Sequence, residues 1–165
     1  MTEKIYSENI RKIIQNKKNL ENSLKVKFEI RGGVVTIEGP AEKEIIALEV
    51  VEAIKLGFTV AQALDLKQED FILEKIPIKS TISRKRDLSQ VRARIIGTKR
   101  RALNQIEYLT GCDIVLHDNT VGIIGHVEDV KKASYAMRKL IAGSKHSNVY
   151  GYLEEQNAKQ KAGIW

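Results

Sequence analysis

The sequence is poor in cysteine, proline and aromatic residues: of 165 residues one is cysteine, two are proline, and Phe, Trp and Tyr make up 5%. A single cysteine excludes an intramolecular disulfide framework and suits a reducing compartment. So few prolines argue against long unstructured linkers. The scarcity of rings argues against base stacking on exposed aromatics as the main recognition device, in contrast to RNA-recognition-motif and oligonucleotide-barrel proteins. Long apolar runs are also missing. The richest, Ile45 to Ile54, is interrupted by Glu49 and Glu52, which excludes a membrane span there. The first twenty residues carry Glu3, Lys4, Glu8, Arg11, Lys12, Lys17 and Lys18, unlike a secretory signal, so the expected location is the cytoplasm.

Catalytic and metal signatures are equally sparse. His117, His126 and His146 have no metal-ligand spacing and no second cysteine to work with. No phosphate-loop consensus and no paired carboxylates in a metal-binding context occur. Cys112 has His117 five residues on, beyond a strand, and reads as a small packing residue. The acids Glu42, Glu44, Glu49 and Glu52 fall on one helix and read as a solvated face. No enzyme, metal or cofactor is expected.

What is present is charge. Hydrophobic residues at 42% and charged residues at 30% fit a folded chain, and the net charge is +7. Residues 1–78 hold 12 basic and 13 acidic side chains, whereas residues 79–152 hold 14 and 6. Arg84, Lys85, Arg86, Arg92, Arg94, Lys99, Arg100 and Arg101 face one acid, Asp87, within a short window. A dense cationic window in an otherwise balanced chain points to a polyanion partner, nucleic acid first.

The chain repeats itself at half length. The first half predicts a helical opening over 10–24, strand 27–30, a turn at Arg31-Gly32-Gly33, strand 34–38 and helix 41–55. The second predicts helices over 89–94 and 101–109, strand 113–116, a turn at His117-Asp118-Asn119, strand 120–124 and helix 128–141. Thr110-Gly111 ends the second of these helices. Short opening strands are expected near 3–6 and 78–82. Between the halves, 59–66 reads as a helix, 67–70 as a loop and 71–76 as a further strand. The fold class is therefore α+β in two units of order β-α-α-β-β-α, each a three-stranded antiparallel sheet packed on helices. Units so small bury little apolar surface alone, so the two are expected to dock together. The domains are set at 1–78 and 79–153, with 154–165 as a C-terminal tail.

Between the first two helices of the second unit lies Ile96-Gly97-Thr98-Lys99-Arg100. Without a side chain, Gly97 lets a sugar-phosphate backbone approach the main chain. The following helix begins near Arg101, and its free N–H groups favour a phosphate. A single strand crossing here could splay its bases over apolar residues such as Ile96, Ile106 and Ile114.

The run Ala93-Arg94-Ile95-Ile96-Gly97, then Ile106-Glu107-Tyr108-Leu109-Thr110-Gly111, then Asn119 to Gly125, resembles a KH domain. The continuation His146-Ser147-Asn148-Val149-Tyr150-Gly151-Tyr152-Leu153-Glu154 is similar to the last KH domain of the Dim-two, or partner-of-Nob-one, family, including its archaeal members with two KH domains. His146, inside that segment, is expected to brace the second unit against the C-terminal helix. The first half resembles the family less closely, through Ile10–Ile14, Glu38-Gly39, Ala53 to Phe58 and Ala63-Leu64. The resemblance implies tandem type I KH-like domains and single-stranded RNA binding. It further implies 16S-type small-subunit rRNA near its 3′ end during ribosome maturation. The implied protein partners are the Nob-one endonuclease and the alpha subunit of initiation factor two.

On this reading Arg92, Arg94, Lys99, Arg100 and Arg101 contact phosphates, and Gly97 and Thr98 permit close approach. Ile96 and Ile114 floor the groove, and bases are read along Asp113 to His117. Two departures from the Gly-x-x-Gly pattern stand out. In the second unit Arg100 replaces the second glycine; as a helix-opening residue it is expected at negative φ and as a phosphate contact. In the first unit the stretch Gln15-Asn16-Lys17-Lys18 has lost both glycines, so that unit is expected to buttress or to bind protein rather than grip RNA. The alternative is a KH-derived protein-interaction scaffold with weakened RNA binding.

Overall fold

In each half a tight hairpin of two short strands is followed by a long helix. The computed structural model describes residues 2–4, 9–82 and 87–163. The chain divides into two compact units, Met1–Leu73 and Glu74–Trp165.

The first unit runs β1 (Thr2–Lys4), α1 (Asn9–Gln15), α2 (Lys17–Leu24), β2 (Lys27–Arg31), β3 (Val34–Glu38), α3 (Ala41–Lys55), α4 (Val60–Leu64) and a 3-10 turn, Asp65–Lys67. The sheet order is β1-β3-β2 and both pairings are antiparallel, with Phe28 opposite Ile37. The opening strand expected near 3–6 starts at Thr2, and its last two positions, 5 and 6, lie outside the described residues. Arg31 pairs with Val34 across Gly32 and Gly33, both at positive φ, the two-residue hairpin the sequence predicts. Phe28, Val35 and Ile37 of the sheet are buried, as are Ile13, Leu20, Val50, Ile54 and Phe58 of the helical layer. The helical opening predicted over 10–24 is the two helices α1 and α2 of the expected order. They break at Asn16, whose side-chain amide donates to the Lys12 carbonyl (2.8 Å).

The second unit takes in β4 (Phe71–Pro77), across whose length the unit boundary falls, then α5 (Ile78–Thr81), α6 (Leu88–Ile96), a 3-10 turn at Thr98–Arg100, and α7 (Arg101–Thr110). It continues with β5 (Asp113–His117), β6 (Thr120–His126), α8 (Val127–Ala142) and α9 (His146–Lys161). Its sheet order is β4-β6-β5, with β5 antiparallel to β6 and Ile114 opposite Ile123. Ile95, Ile106, Ile114, Val121, Ile123, Met137 and Ile141 form the core.

Two assignments change. The opening strand of this sheet is β4, predicted as part of the inter-unit segment, while residues 78–81, predicted as the opening strand, make one helical turn. The Pro77 carbonyl accepts from the Thr81 hydroxyl (2.8 Å), and the Ile78 N–H donates to the Asn119 carbonyl (2.8 Å). Residues 154–161, assigned to a tail, continue α9. Val149 and Leu153 of this helix are buried, and the Asn157 amide donates to the carbonyl of Leu109 at the end of α7 (2.8 Å). His146 braces the helix as expected: its Nε2 donates to the Arg94 carbonyl (2.9 Å).

Candidate nucleic-acid interface

The corner between α6 and α7 is built by its caps. Asp87 caps α6, accepting from the Ser89 N–H (2.9 Å) and hydroxyl (2.8 Å), bonds that hold its carboxyl below the ordinary range. The helix stops at Gly97, whose N–H donates to the Ala93 carbonyl (2.8 Å) at φ 76°. A Cβ at Gly97 would stand 2.7 Å from the Ala102 nitrogen and 2.9 Å from its Cβ. Glycine is thus required here for the close approach of the loop to the first turn of α7.

The chain then turns through two successive left-handed residues, Lys99 (φ 53°) and Arg100 (φ 63°). The negative φ expected of Arg100 is therefore wrong. The tight turn, closed by the Arg100 N–H on the Gly97 carbonyl (3.2 Å), needs a left-handed residue there. A side chain in that conformation costs about 1–2 kcal/mol, which is why glycine suits the position.

The Arg100 guanidinium, although partly exposed, is bonded back onto its own unit. Its Nη1 binds Glu107 Oε1 at 2.6 Å and also Asn104 Oδ1, and its Nη2 donates to the Ile114 carbonyl at 3.0 Å. Glu107 Oε2 in turn accepts from the Ile114 N–H (3.1 Å). Both main-chain groups of Ile114, on the outer strand of the sheet, are thus taken by a helix-borne ion pair.

The other predicted site residues separate into those turned outward and those turned away. Thr98, Lys99 and Arg101 sit at the corner, where Lys99 and Arg101 are exposed and have no side-chain hydrogen bond or ion pair among the described residues. The first turn of α7 carries no acid and no side-chain cap. Arg94 is directed elsewhere: its Nε donates to the Leu140 carbonyl near the end of α8 (3.3 Å), a favourable place for a cation. Arg92 Nε and Arg94 Nη2 are buried without a hydrogen-bond partner among the described residues. Ile96 is half-buried, whereas the Ile114 and Ile106 side chains lie in the core, so only the main chain of Ile114 faces the groove edge. His117 sits at the hairpin end of β5 beside Asp118 (3.5 Å), three residues or roughly 10 Å along the strand from Ile114. Arg84, Lys85 and Arg86 lie outside the described residues.

Glu107 and Asn104 were not among the predicted site residues. Their signal was available: Arg100, Asn104 and Glu107 stand at i, i+4 and i+7, one helix face. Cys112 is buried and its thiol is pushed up to about 12, chiefly by burial. No group of three or more His, Cys, Asp or Glu that could hold a metal ion occurs among the described residues, and no described helix is long and apolar enough to cross a membrane.

Paired helices joined by a glycine-centred cationic corner, set beside the outer strand of a three-stranded antiparallel sheet, are the arrangement of a KH-type domain. Residues 72–158 match the eukaryotic type KH-domain (KH-domain type I) that forms the second KH domain of PNO1. The chain belongs to the PNO1/Dim2 family of KH-domain proteins. It is 35% identical over 151 residues to a KH domain-containing protein of Methanocaldococcus jannaschii, covering 88% of this chain and 66% of that one. It is 33% identical to RNA-binding protein pno1 of Drosophila melanogaster, covering 79% and 57%. The chain thus spans about two thirds or less of these relatives. Among solved structures, Dim2p from Pyrococcus horikoshii matches with a TM-score of 0.85 at 34% identity, covering 94% of this chain and 98% of that one. A chain of the a/eIF2alpha–aDim2p–rRNA complex from the same organism matches with a TM-score of 0.87 at 33% identity, covering 96% and 94%.

Proposed function

We propose that the chain is a non-enzymatic, single-stranded RNA-binding protein that acts on small-subunit rRNA near its 3′ end during ribosome maturation. The observation that carries the reading is the corner at Gly97: a glycine turn leading into an uncapped helix N-terminus, with Lys99 and Arg101 exposed beside it and without side-chain partners among the described residues. Support comes from the relatives' names as RNA-binding and pre-rRNA-processing proteins, and from the neighbour complexed with rRNA. Both units are read as type I KH-like domains of order β-α-α-β-β-α, the first degenerate, since α1 passes into α2 through Asn16 with no glycine loop. Lys99, Arg101, Thr98 and Gly97 would hold the phosphates of about four nucleotides, the usual KH footprint. An initiation-factor alpha subunit is the expected protein partner, following the same neighbour. The Nob-one endonuclease is expected from the family resemblance, and a cytoplasmic site of action with both.

The test is an anisotropy titration with a fluorescent single strand of the 3′-terminal small-subunit rRNA sequence. Gly97→Asp is unsuitable, because its Cβ would collide with Ala102. Lys99→Asp with Arg101→Asp leaves the packing untouched and places acids where a helix N-terminus tolerates them. RNA binding should be lost while the circular dichroism melt is unchanged, and wild-type affinity should fall steeply with salt as counterions are released. Undiminished affinity in the double variant, or a flat salt response, would refute the site.

A second reading, a protein-interaction scaffold with weakened RNA binding, is favoured by one observation. Arg100 already occupies the groove edge.

A further inference from the structure

The edge of β5 is already satisfied from within. The Ile114 carbonyl takes a donor from Arg100, and the Ile114 N–H takes an acceptor from Glu107. A donor beside an acceptor is also what the Watson–Crick edge of a nucleobase presents. The Arg100–Glu107 pair therefore stands in the chemical place of a base.

We propose that Arg100 is a displaceable latch, an internal competitor for the base-reading edge of the groove. This rests on the RNA-binding reading above and concerns how that site opens. When RNA enters, a base takes over the contacts to the Ile114 main chain. The guanidinium leaves Glu107 and becomes available to a phosphate of the same strand.

Three features make the latch releasable rather than structural. First, the pair is not sealed: the Arg100 and Glu107 side chains keep 44% and 21% of their surface exposed. An ion pair so placed contributes little net stability. Second, the left-handed φ of Lys99 (53°) and Arg100 (63°) belongs to the turn closed by the Arg100 N–H on the Gly97 carbonyl, so the guanidinium can leave by side-chain rotation without rearranging the main chain. Third, exchange replaces contacts of one kind by contacts of the same kind. Glu107 keeps the strand amide while Arg100 swings away, and once a base takes that amide its carboxylate, already 21% exposed, turns to solvent.

The same arrangement explains why arginine and not glycine at this position alters the site. A glycine would leave Ile114 with an open carbonyl and the groove with no gate. Arginine makes RNA binding conditional on a competition that phosphate, at high local concentration along a strand, can win.

Two variants separate the latch from a plain phosphate contact. Arg100→Gly removes the competitor and suits the left-handed backbone. Glu107→Gln keeps an acceptor for the Ile114 N–H but gives up the charge that holds Arg100. Against the same fluorescent single-stranded rRNA, both should bind at least tenfold tighter than wild type, about 1.4 kcal/mol. Amide hydrogen exchange at Ile114 should be slow in the RNA-free wild-type protein and in Arg100→Gly alike, because Glu107 Oε2 takes that N–H in both. Equal or weaker RNA binding by Arg100→Gly, with wild type still binding, would overturn the latch and leave the RNA reading standing. No binding by any of the three proteins would overturn both.

Discussion

Glu21 and Glu107 hold the same post in the two units. Glu21 Oε2 accepts from the Phe28 N–H at 2.9 Å, and Glu107 Oε2 accepts from the Ile114 N–H at 3.1 Å, each across seven residues. In both, the glutamate lies in the second helix, a left-handed residue follows that helix (Lys25 at φ 57°, Gly111 at φ 71°), and the bonded amide is the second residue of the outer strand. A strand edge otherwise open to pairing is thus hooked to its own helix twice over. What differs is the approach: Arg100 reaches Glu107 in the second unit, whereas Asn16 simply bends α1 into α2 in the first. The half-length repeat is therefore carried down to single hydrogen bonds, while the cationic corner is elaborated in one half only.

Gly97→Ala should destabilise the chain rather than tune its affinity. The added methyl would sit 2.7 Å from the Ala102 nitrogen, and the φ of 76° disfavours any side chain. The strain alone is worth about 1–2 kcal/mol, and overpacking adds about 1–3 kcal/mol. Adding Ala102→Gly would relieve the contact with the Ala102 Cβ but not the one with its nitrogen, so recovery should be partial. Denaturant unfolding of the two variants checks this. A Gly97→Ala variant as stable as wild type would mean that the corner is not close-packed.

Cys112 should behave as an inert side chain. Its sulfur lies where a Cβ on Gly125 would be only 2.7 Å away, and burial lifts the thiol from an ordinary value of 9.0 to about 12. A group whose folded pKa is raised contributes stability that is complete below the unfolded pKa and lost as pH rises through the folded one. The folded chain should therefore lose stability from about pH 9 toward pH 12 more steeply than Cys112→Ala does. An aromatic disulfide reagent at about pH 8 should label the denatured protein at once and the native protein far more slowly. Rapid labelling of native protein would contradict the burial.

How much of this was legible depended on the kind of signal. The hairpins at Gly32-Gly33 and Asp118-Asn119 were clear, because turn chemistry is local. The opening strand of the second sheet was misplaced. Ile78, Ser80 and Ile82 alternate like a strand, yet Ile78 and Ile82 are also i and i+4 of a helical turn. Only the tertiary bond from Ile78 to the carbonyl of Asn119 decides between them. Charge density located the corner, but charge does not say where a guanidinium points. Arg94 was drawn to the carbonyl end of α8, and Arg100 to Glu107, because long side chains settle on the nearest acceptors.

Helix α9 should prove part of the second unit rather than an appendage. Leu153 is fully buried and Val149 nearly so, and Asn157 supplies a donor to a carbonyl at the end of α7 that would otherwise lack an intrahelical partner. Removing a buried leucine side chain leaves a cavity as well as losing transfer energy, and costs about 2–5 kcal/mol. Leu153→Ala should therefore lower the denaturant midpoint markedly, whereas Glu154→Ala, one residue on and exposed, should leave stability within about 0.5 kcal/mol of wild type. Because His146 of the same helix donates to the Arg94 carbonyl in α6, loosening α9 should also loosen the helix that delivers Gly97. Amide exchange in α6 should accelerate in Leu153→Ala, and RNA affinity should fall with it. Unchanged exchange across residues 88–97 would show that α9 and the RNA corner are independent.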